Sequence, residues 1–159
     1  MKKSIKYQYF LPDFESRLIR NYVSHGYRNL NQMLRKSKNK NTDLNRVIFD
    51  FYPLDKDIVV FRIIRSNEFI EDDFYNGGYL STTIMISEII EDIIKDELRP
   101  NFKKSYIMEI IVPKGTHCLW IPSHENEILL PHLTRLKLNY EDNRVYSKKF
   151  IKIYNYVVI

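Results

Sequence analysis

The chain has very little of what small domains use to staple or punctuate themselves. In 159 residues there is one cysteine, Cys118, one tryptophan, Trp120, and four glycines. A lone cysteine excludes an internal disulfide and any thiol-based metal site, and a reducing compartment such as the cytoplasm is expected. The histidines, His25, His117, His124 and His132, fall at no metal-ligand spacing, so no metal is expected. So few glycines leave no phosphate-cradling glycine-rich loop, and Gly77-Gly78 reads as a turn. Long apolar runs are missing too, which argues against a membrane span, and the basic MKKSIKYQYF start lacks the apolar core of a secretory signal.

Aromatic side chains are abundant, with 12 Tyr and 9 Phe, and apolar residues make up 44% of the chain. Such a chain buries a core, and its length is that of one domain. The net charge is +5, with much of the surplus in the Lys36 to Lys40 stretch, which reads as a solvated loop. Heavy use of Lys, Asn, Ile and Tyr points to an AT-rich genome.

Helical periodicity runs from Asp13 to about Arg35, through Leu18, Ile19, Tyr22, Val23, Tyr27, Leu30 and Leu34. A shorter helix carries Leu44, Val47, Ile48 and Phe51 and stops before Pro53. The pattern then turns to β. Strands are expected at Ile58 to Ile64 and Tyr79 to Thr83, followed by a helix capped by Ser87 and striped with Ile86, Ile89, Ile90, Ile93, Ile94 and Leu98. Further strands are expected at Tyr106 to Val112, Thr116 to Ile121, Glu127 to Leu130, Leu133 to Leu138 and Val145 to Ile159, with a turn at Pro113-Lys114-Gly115. Helices first and strands afterwards predict an α+β domain with a mostly antiparallel sheet system, its helical part at about 13–56 and its β-rich core at about 57–159.

Three places carry chemistry. Glu125 and Glu127 lie two apart at the start of an apolar strand, where alternation would set them side by side. Ser81-Thr82-Thr83 is a hydroxyl cluster behind Tyr79-Leu80. Arg62 closes the apolar run Val59-Val60-Phe61, and a buried strand arginine calls for an anionic partner, either a core carboxylate or a phosphate.

In that order, Arg62, then Ser81-Thr82-Thr83, then Glu125-x-Glu127, the chain resembles the Arg-Ser-Glu class of mono-ADP-ribosyltransferases, notably the bacterial exoenzyme-type toxins. Two further segments share the likeness: Tyr22 to Arg35 resembles the family's tyrosine-rich helical entry, and Met108 to Thr116 its strand and Pro-x-Gly turn. The likeness spans roughly residues 18 to 138.

The resemblance implies two packed, mostly antiparallel β-sheets flanked by N-terminal helices, with NAD in the cleft. It implies catalytic roles for Glu127, Glu125 and Ser81, and NAD contacts from Arg62, Ile63, Ser81, Thr82 and Glu127. Thr82 and Thr83 are expected mainly to brace their strand. Glu125 points to arginine of a target protein as acceptor, since a carboxylate must hold and partly deprotonate the guanidinium at attack. Transfer to nucleic acid or simple NAD hydrolysis is the enzymatic alternative, and a silent protein-binding module the alternative of another class. An injected effector, one component of a binary system and a viral protein are the open alternatives, and small size and AT-rich composition lean toward the last two. The chain departs from the family in four ways. Ile63 stands where glycine is usual, the segment before Glu125 is short, that segment lacks an aromatic a few residues before Glu125, and no obvious aromatic follows Thr83 to cover nicotinamide.

Overall fold

The computed structural model describes residues 17, 20, 43–50, 53–65, 71–75, 77–101, 104–121 and 126–159. The helical pattern expected from Asp13 to Arg35, including the Tyr22 to Arg35 segment, and the lysine-rich stretch lie outside the described residues, apart from Arg17 and Arg20, which are helical. The elements that follow are α1 (Asp43–Asp50), β1 (Ile58–Arg65), β2 (Asp73–Tyr75), β3 (Leu80–Thr83), α2 (Ile86–Glu97), β4 (Ser105–Val112), β5 (Leu119–Ile121), β6 (Glu127–Leu130), β7 (Arg135–Tyr146) and β8 (Lys149–Val158).

Among the described residues the strands form one hydrogen-bonded order, β2-β7-β8-β4-β1-β3-β6-β5. Every pairing is antiparallel except β4 with β8. The order divides at one seam, where β1 and β3 share a single register pair, Phe61 with Thr83. On one side of the seam is a larger sheet, β2-β7-β8-β4-β1; on the other a smaller one, β3-β6-β5. These are the two packed sheets expected, and they meet face to face. Val60, Ile64, Met108, Ile110, Tyr154 and Tyr156 of the larger sheet pack with Leu80, Ile128 and Leu130 of the smaller. Alternation along β1 and β6 sends these residues inward and their neighbours outward.

Each sheet carries a helix on its outer side. In α1 the buried residues Leu44, Val47 and Ile48 recur at helical spacing. Leu44 and Ile48 pack on Tyr79, Leu119, Ile121 and Leu129 of the smaller sheet. Helix α2 buries Ile89 and Ile93 against Ile63, Ile107, Ile151 and Ile153 of the larger sheet. Each fully buried isoleucine contributes about 1.5–3 kcal/mol relative to exposure. Among the described residues, no helix is long and apolar enough to cross a membrane.

Three boundaries differ from the sequence reading. Ser87 does not cap α2: the cap position is Met85, and its N–H is taken by the Thr83 hydroxyl at 3.0 Å as the chain leaves β3. The stretch Thr116 to Cys118 is not strand: Thr116 N–H closes the turn on the Pro113 carbonyl, its carbonyl accepts from Leu54 N–H, and Gly115, whose φ is +89°, donates to the Leu54 carbonyl. The largest difference is at the C-terminal end. In place of one strand from Val145, β7 and β8 form a long hairpin turning at Ser147 and Lys148, with φ of 49° and 64°. That is the left-handed pair a two-residue hairpin turn requires, and glycine or asparagine normally supplies it. With Ser-Lys there instead, the turn left no mark in the sequence.

Candidate active site

The sheets separate immediately beyond the Phe61–Thr83 seam, and the separation is the origin of the site. Because β1 and β3 share no further register pair, the polar groups at their facing edges are available to side chains. Arg62, one residue past the seam, sends Nη1 across the gap to donate to the Ser81 carbonyl at 3.3 Å. A cavity of about 390 Å³ opens here, lined by Phe61, Arg62, Ile63, Arg65, Ser81, Thr82 and Thr83 from the strands, and by Glu88, Ile89, Glu91, Asp92 and Lys95 from α2. That volume falls within the range of small-molecule sites.

Ser81 and Glu127 are brought together by strand register. In the β3/β6 ladder Ser81 pairs with Leu129 and Thr83 with Glu127, so Glu127 is Ser81's diagonal neighbour on the same face. The Ser81 hydroxyl donates to Glu127 Oε1 at 2.5 Å, a charge-assisted bond that fixes the carboxylate's direction. The side chains are 46 residues apart in sequence, so no local pattern announces the contact.

Thr82 and Thr83 take different partners. Thr82, on the inward face, is buried, and its hydroxyl donates to the Ile128 carbonyl at 2.7 Å, a cross-strand brace. Thr83 Oγ1 accepts from Met85 N–H and donates to Glu88 Oε2 at 2.9 Å, which fastens the first turn of α2 to β3. Glu88 was not singled out from the sequence, where it reads as one more acid on an amphipathic helix.

Ile63 occupies the family's usual glycine position without blocking the gap. It is 8% exposed and packs under α2 with Ile89 and Ile93. Glu125 lies outside the described residues, as do Ser123 and His124. The strand β6 begins at Glu127, and Asn126 has φ of 45°. Asparagine tolerates that left-handed conformation better than most residues, and it sets the entry of the chain into β6.

A second glutamate occupies the same register row. From Glu127 the row runs through Thr83 and Phe61 to Glu109 on β4 and Asn155 on β8. Glu109 is 8% exposed and accepts from Arg144 Nη1 at 2.6 Å and Nη2 at 3.1 Å, from Asn155 at 2.7 Å and from Tyr140 at 3.3 Å. Burial pushes its carboxyl up, but these hydrogen bonds and the Arg144 charge outweigh burial and hold it below the usual carboxylate range. Among the described residues no group of His, Cys, Asp and Glu is arranged to hold a metal ion. Burial pushes the Cys118 thiol up to about 11, which keeps it protonated and unreactive at neutral pH.

No family model matches the chain, and no curated protein matches it by sequence. Solved structures match it in fold. C3larvin, an ADP-ribosyltransferase toxin from Paenibacillus larvae, superposes with a TM-score of 0.68 at 16% identity, over 96% of this chain and 99% of that one. Plx2a, another ADP-ribosyltransferase toxin from P. larvae, gives 0.73 at 16% identity over 99% and 92%. BECa, an ADP-ribosylating toxin of a binary enterotoxin of C. perfringens solved with NADH, gives 0.65 at 17% identity over 98% of this chain and 45% of that one. The chain has the ADP-ribosyltransferase fold.

Proposed function

We propose that this single domain is a NAD-dependent mono-ADP-ribosyltransferase that moves ADP-ribose from NAD to an arginine side chain of a protein target and releases nicotinamide. The observation that carries the reading is the 2.5 Å bond from Ser81 to Glu127 at the edge of a cavity that Arg62 and Ser81 both line. A dinucleotide bound by a protein of this fold, as in BECa with NADH, adds support.

The chemistry follows from where charge develops. When the bond between ribose C1′ and the nicotinamide nitrogen breaks, its electron pair goes to the ring, and positive charge spreads over C1′ and the ribose ring oxygen. A carboxylate aimed at that ribose stabilises the transition state more than the ground state, which is what lowers the barrier. Glu127 supplies the carboxylate. Ser81 holds its direction, so none of the stabilisation is lost to reorientation. Arg62, with a planar fork and a permanent charge, holds the diphosphate on the far side of the ribose. The residues fit the substrate: the Arg62 guanidinium and the hydroxyls of Ser81 and Thr83 line a cavity of mixed apolar and charged character, and Glu127 lies beside it, bonded to Ser81.

The acceptor reading rests on Glu125, the first acid of the Glu-x-Glu pair. An arginine is protonated in water, and a carboxylate beside it accepts the proton that must leave as the guanidinium nitrogen attacks C1′. The lone, unreactive Cys118 is compatible with work in a reducing cytoplasm.

The test is incubation with labelled NAD and a protein extract, followed by mapping of modified residues. Label on arginines that Glu127→Gln abolishes is the expected result. A Glu125→Gln protein is expected to lose arginine labelling while still releasing nicotinamide. Label on nucleic acid, or nicotinamide release with no label on any acceptor, would replace the arginine assignment.

A further inference from the structure

We propose that Phe61 is the residue against which the nicotinamide ring of NAD stacks, an assignment that rests on the reading of the site given above. The stretch after Thr83, where an aromatic cover is expected, folds into α2 and contributes Glu88, Ile89, Glu91, Asp92 and Lys95 to the cavity. No aromatic comes from that side among the described residues. The cavity's aromatic lining comes instead from the opposite wall, from the strand residue just before Arg62.

Three observations converge on Phe61. It is half-buried, packs against the Ile63, Ile89 and Ile93 cluster, and is one of the residues that line the cavity. With Ile63 and Ile89 it makes the apolar part of a lining that is otherwise polar or charged, the place where a flat ring loses most contact with water. It is also the seam residue, paired with Thr83, which is paired in turn with Glu127. Two strand spacings, roughly 10 Å, separate the backbones of Phe61 and Glu127, a span that two side chains and a ribose bridge.

The identity of the ring follows from the connectivity of NAD. Nicotinamide is bonded to C1′, the carbon whose charge Glu127 stabilises. Adenine lies beyond a second ribose and the diphosphate that Arg62 holds. The ring nearest the Ser81–Glu127 pair is therefore nicotinamide. It carries a positive charge in NAD, and a cation over the face of an aromatic ring is attracted by its quadrupole. When C1′–N breaks, the electron pair returns to the ring nitrogen, the ring becomes neutral and the attraction is lost. Phe61 thus holds the bound substrate and lets the leaving group go, a positioning role expressed in affinity more than in the chemical step.

The experiment compares binding of NAD with binding of ADP-ribose, which lacks the ring, by calorimetry on the wild-type protein and on Phe61→Leu and Phe61→Tyr. Phe61→Leu is expected to weaken NAD about tenfold, between the scales of an exposed and a desolvated cation–aromatic contact, with ADP-ribose within about twofold of wild type. Its KM for NAD should rise by a similar factor while kcat falls less than about threefold. Phe61→Tyr restores the ring and should restore NAD affinity. In the unaltered protein, NAD but not ADP-ribose should shift the Phe61 ring resonances, a measurement that stands if the leucine variant folds poorly. Equal loss of both ligands in Phe61→Leu, or no loss of NAD, or identical ring shifts with both ligands, overturns the assignment. A wild-type protein that binds neither ligand overturns the reading of the site itself.

Discussion

Two glutamates share one register row across the sheet and are treated in opposite ways. Glu109, on β4, is enclosed by Arg144, Asn155 and Tyr140, and its charge is matched within the fold. Glu127, on β6, is aimed by a neutral hydroxyl at the edge of a cavity. The first arrangement fixes the β7–β8 hairpin to the body of the sheet. The second fixes the direction of a carboxylate beside the cavity that Ser81 lines. A fully matched carboxylate has little left to offer a transition state; an oriented one does. The same residue type, two strands from the seam on one side and two on the other, is structural in one place and, on the proposed reading, catalytic in the other.

The sharpest way to break that contrast is to neutralise each acid separately. Glu127→Gln is expected to lower NAD turnover by at least about 10²-fold, since the group it removes acts on the transition state. Its thermal midpoint should stay close to wild type. Glu109→Ala should do the reverse. Taking the Glu109 carboxylate from Arg144 costs about 3 kcal/mol in a denaturant titration, at the low end for buried pairs because Arg144 is partly exposed and keeps Asp142 as a partner. Turnover per folded molecule should be largely kept. If Glu109→Ala instead abolished turnover in a folded protein, the division of labour would be wrong.

Removing the oriented acid's guide comes next. Ser81→Ala deletes a hydrogen bond to a charged group, and losing about 1.5–3 kcal/mol of it in the transition state lowers turnover by roughly 10- to 100-fold. Weak binding of ADP-ribose, rather than slow turnover, would show that Ser81 acts on affinity.

The pH dependence of stability separates the two regions again. The folded-state value of Glu109 lies below its unfolded value, so the carboxylate binds fewer protons folded than unfolded at mildly acid pH. Its contribution is therefore complete above the unfolded value of about 4.3 and is lost as pH falls through the lower, folded value. Denaturant titrations from pH 6 down to pH 3 should show wild type losing stability more steeply than Glu109→Gln. Parallel slopes would mean that Arg144 and its neighbours do not hold the charge. The smallest effect is expected at the brace: Thr82→Val removes the buried bond to Ile128 and should cost about 1 kcal/mol of stability in a denaturant titration.

Much of this was legible in the sequence where the signal is local. The isoleucine stripe of α2 and the four-residue strand at Glu127–Leu130 follow from period alone. Arg62, Ser81 and Glu127 stand out as candidates because strand ends and hydroxyl clusters carry unusual residue types, and because their order resembles a known family. The features that stayed hidden are set by packing and register. The hairpin at Ser147-Lys148 lacks the glycine or asparagine that marks such turns. The Arg144–Glu109 pair joins residues 35 apart, inside a polar run, Asn139 to Arg144, that reads as loop. Glu88 and Phe61 look like surface acid and core aromatic until the seam between the sheets puts them on a cavity.

The measurement that bears most directly on the central claim is nicotinamide release from NAD, followed over time for the wild-type protein beside Glu127→Gln. Steady release by wild type, reduced at least about 10²-fold in a Glu127→Gln protein that is folded and still binds ADP-ribose, is the predicted result. Equal rates in the two proteins, or no release by wild type under conditions where it binds NAD, would contradict the assignment of Glu127 as the acid that carries the reaction.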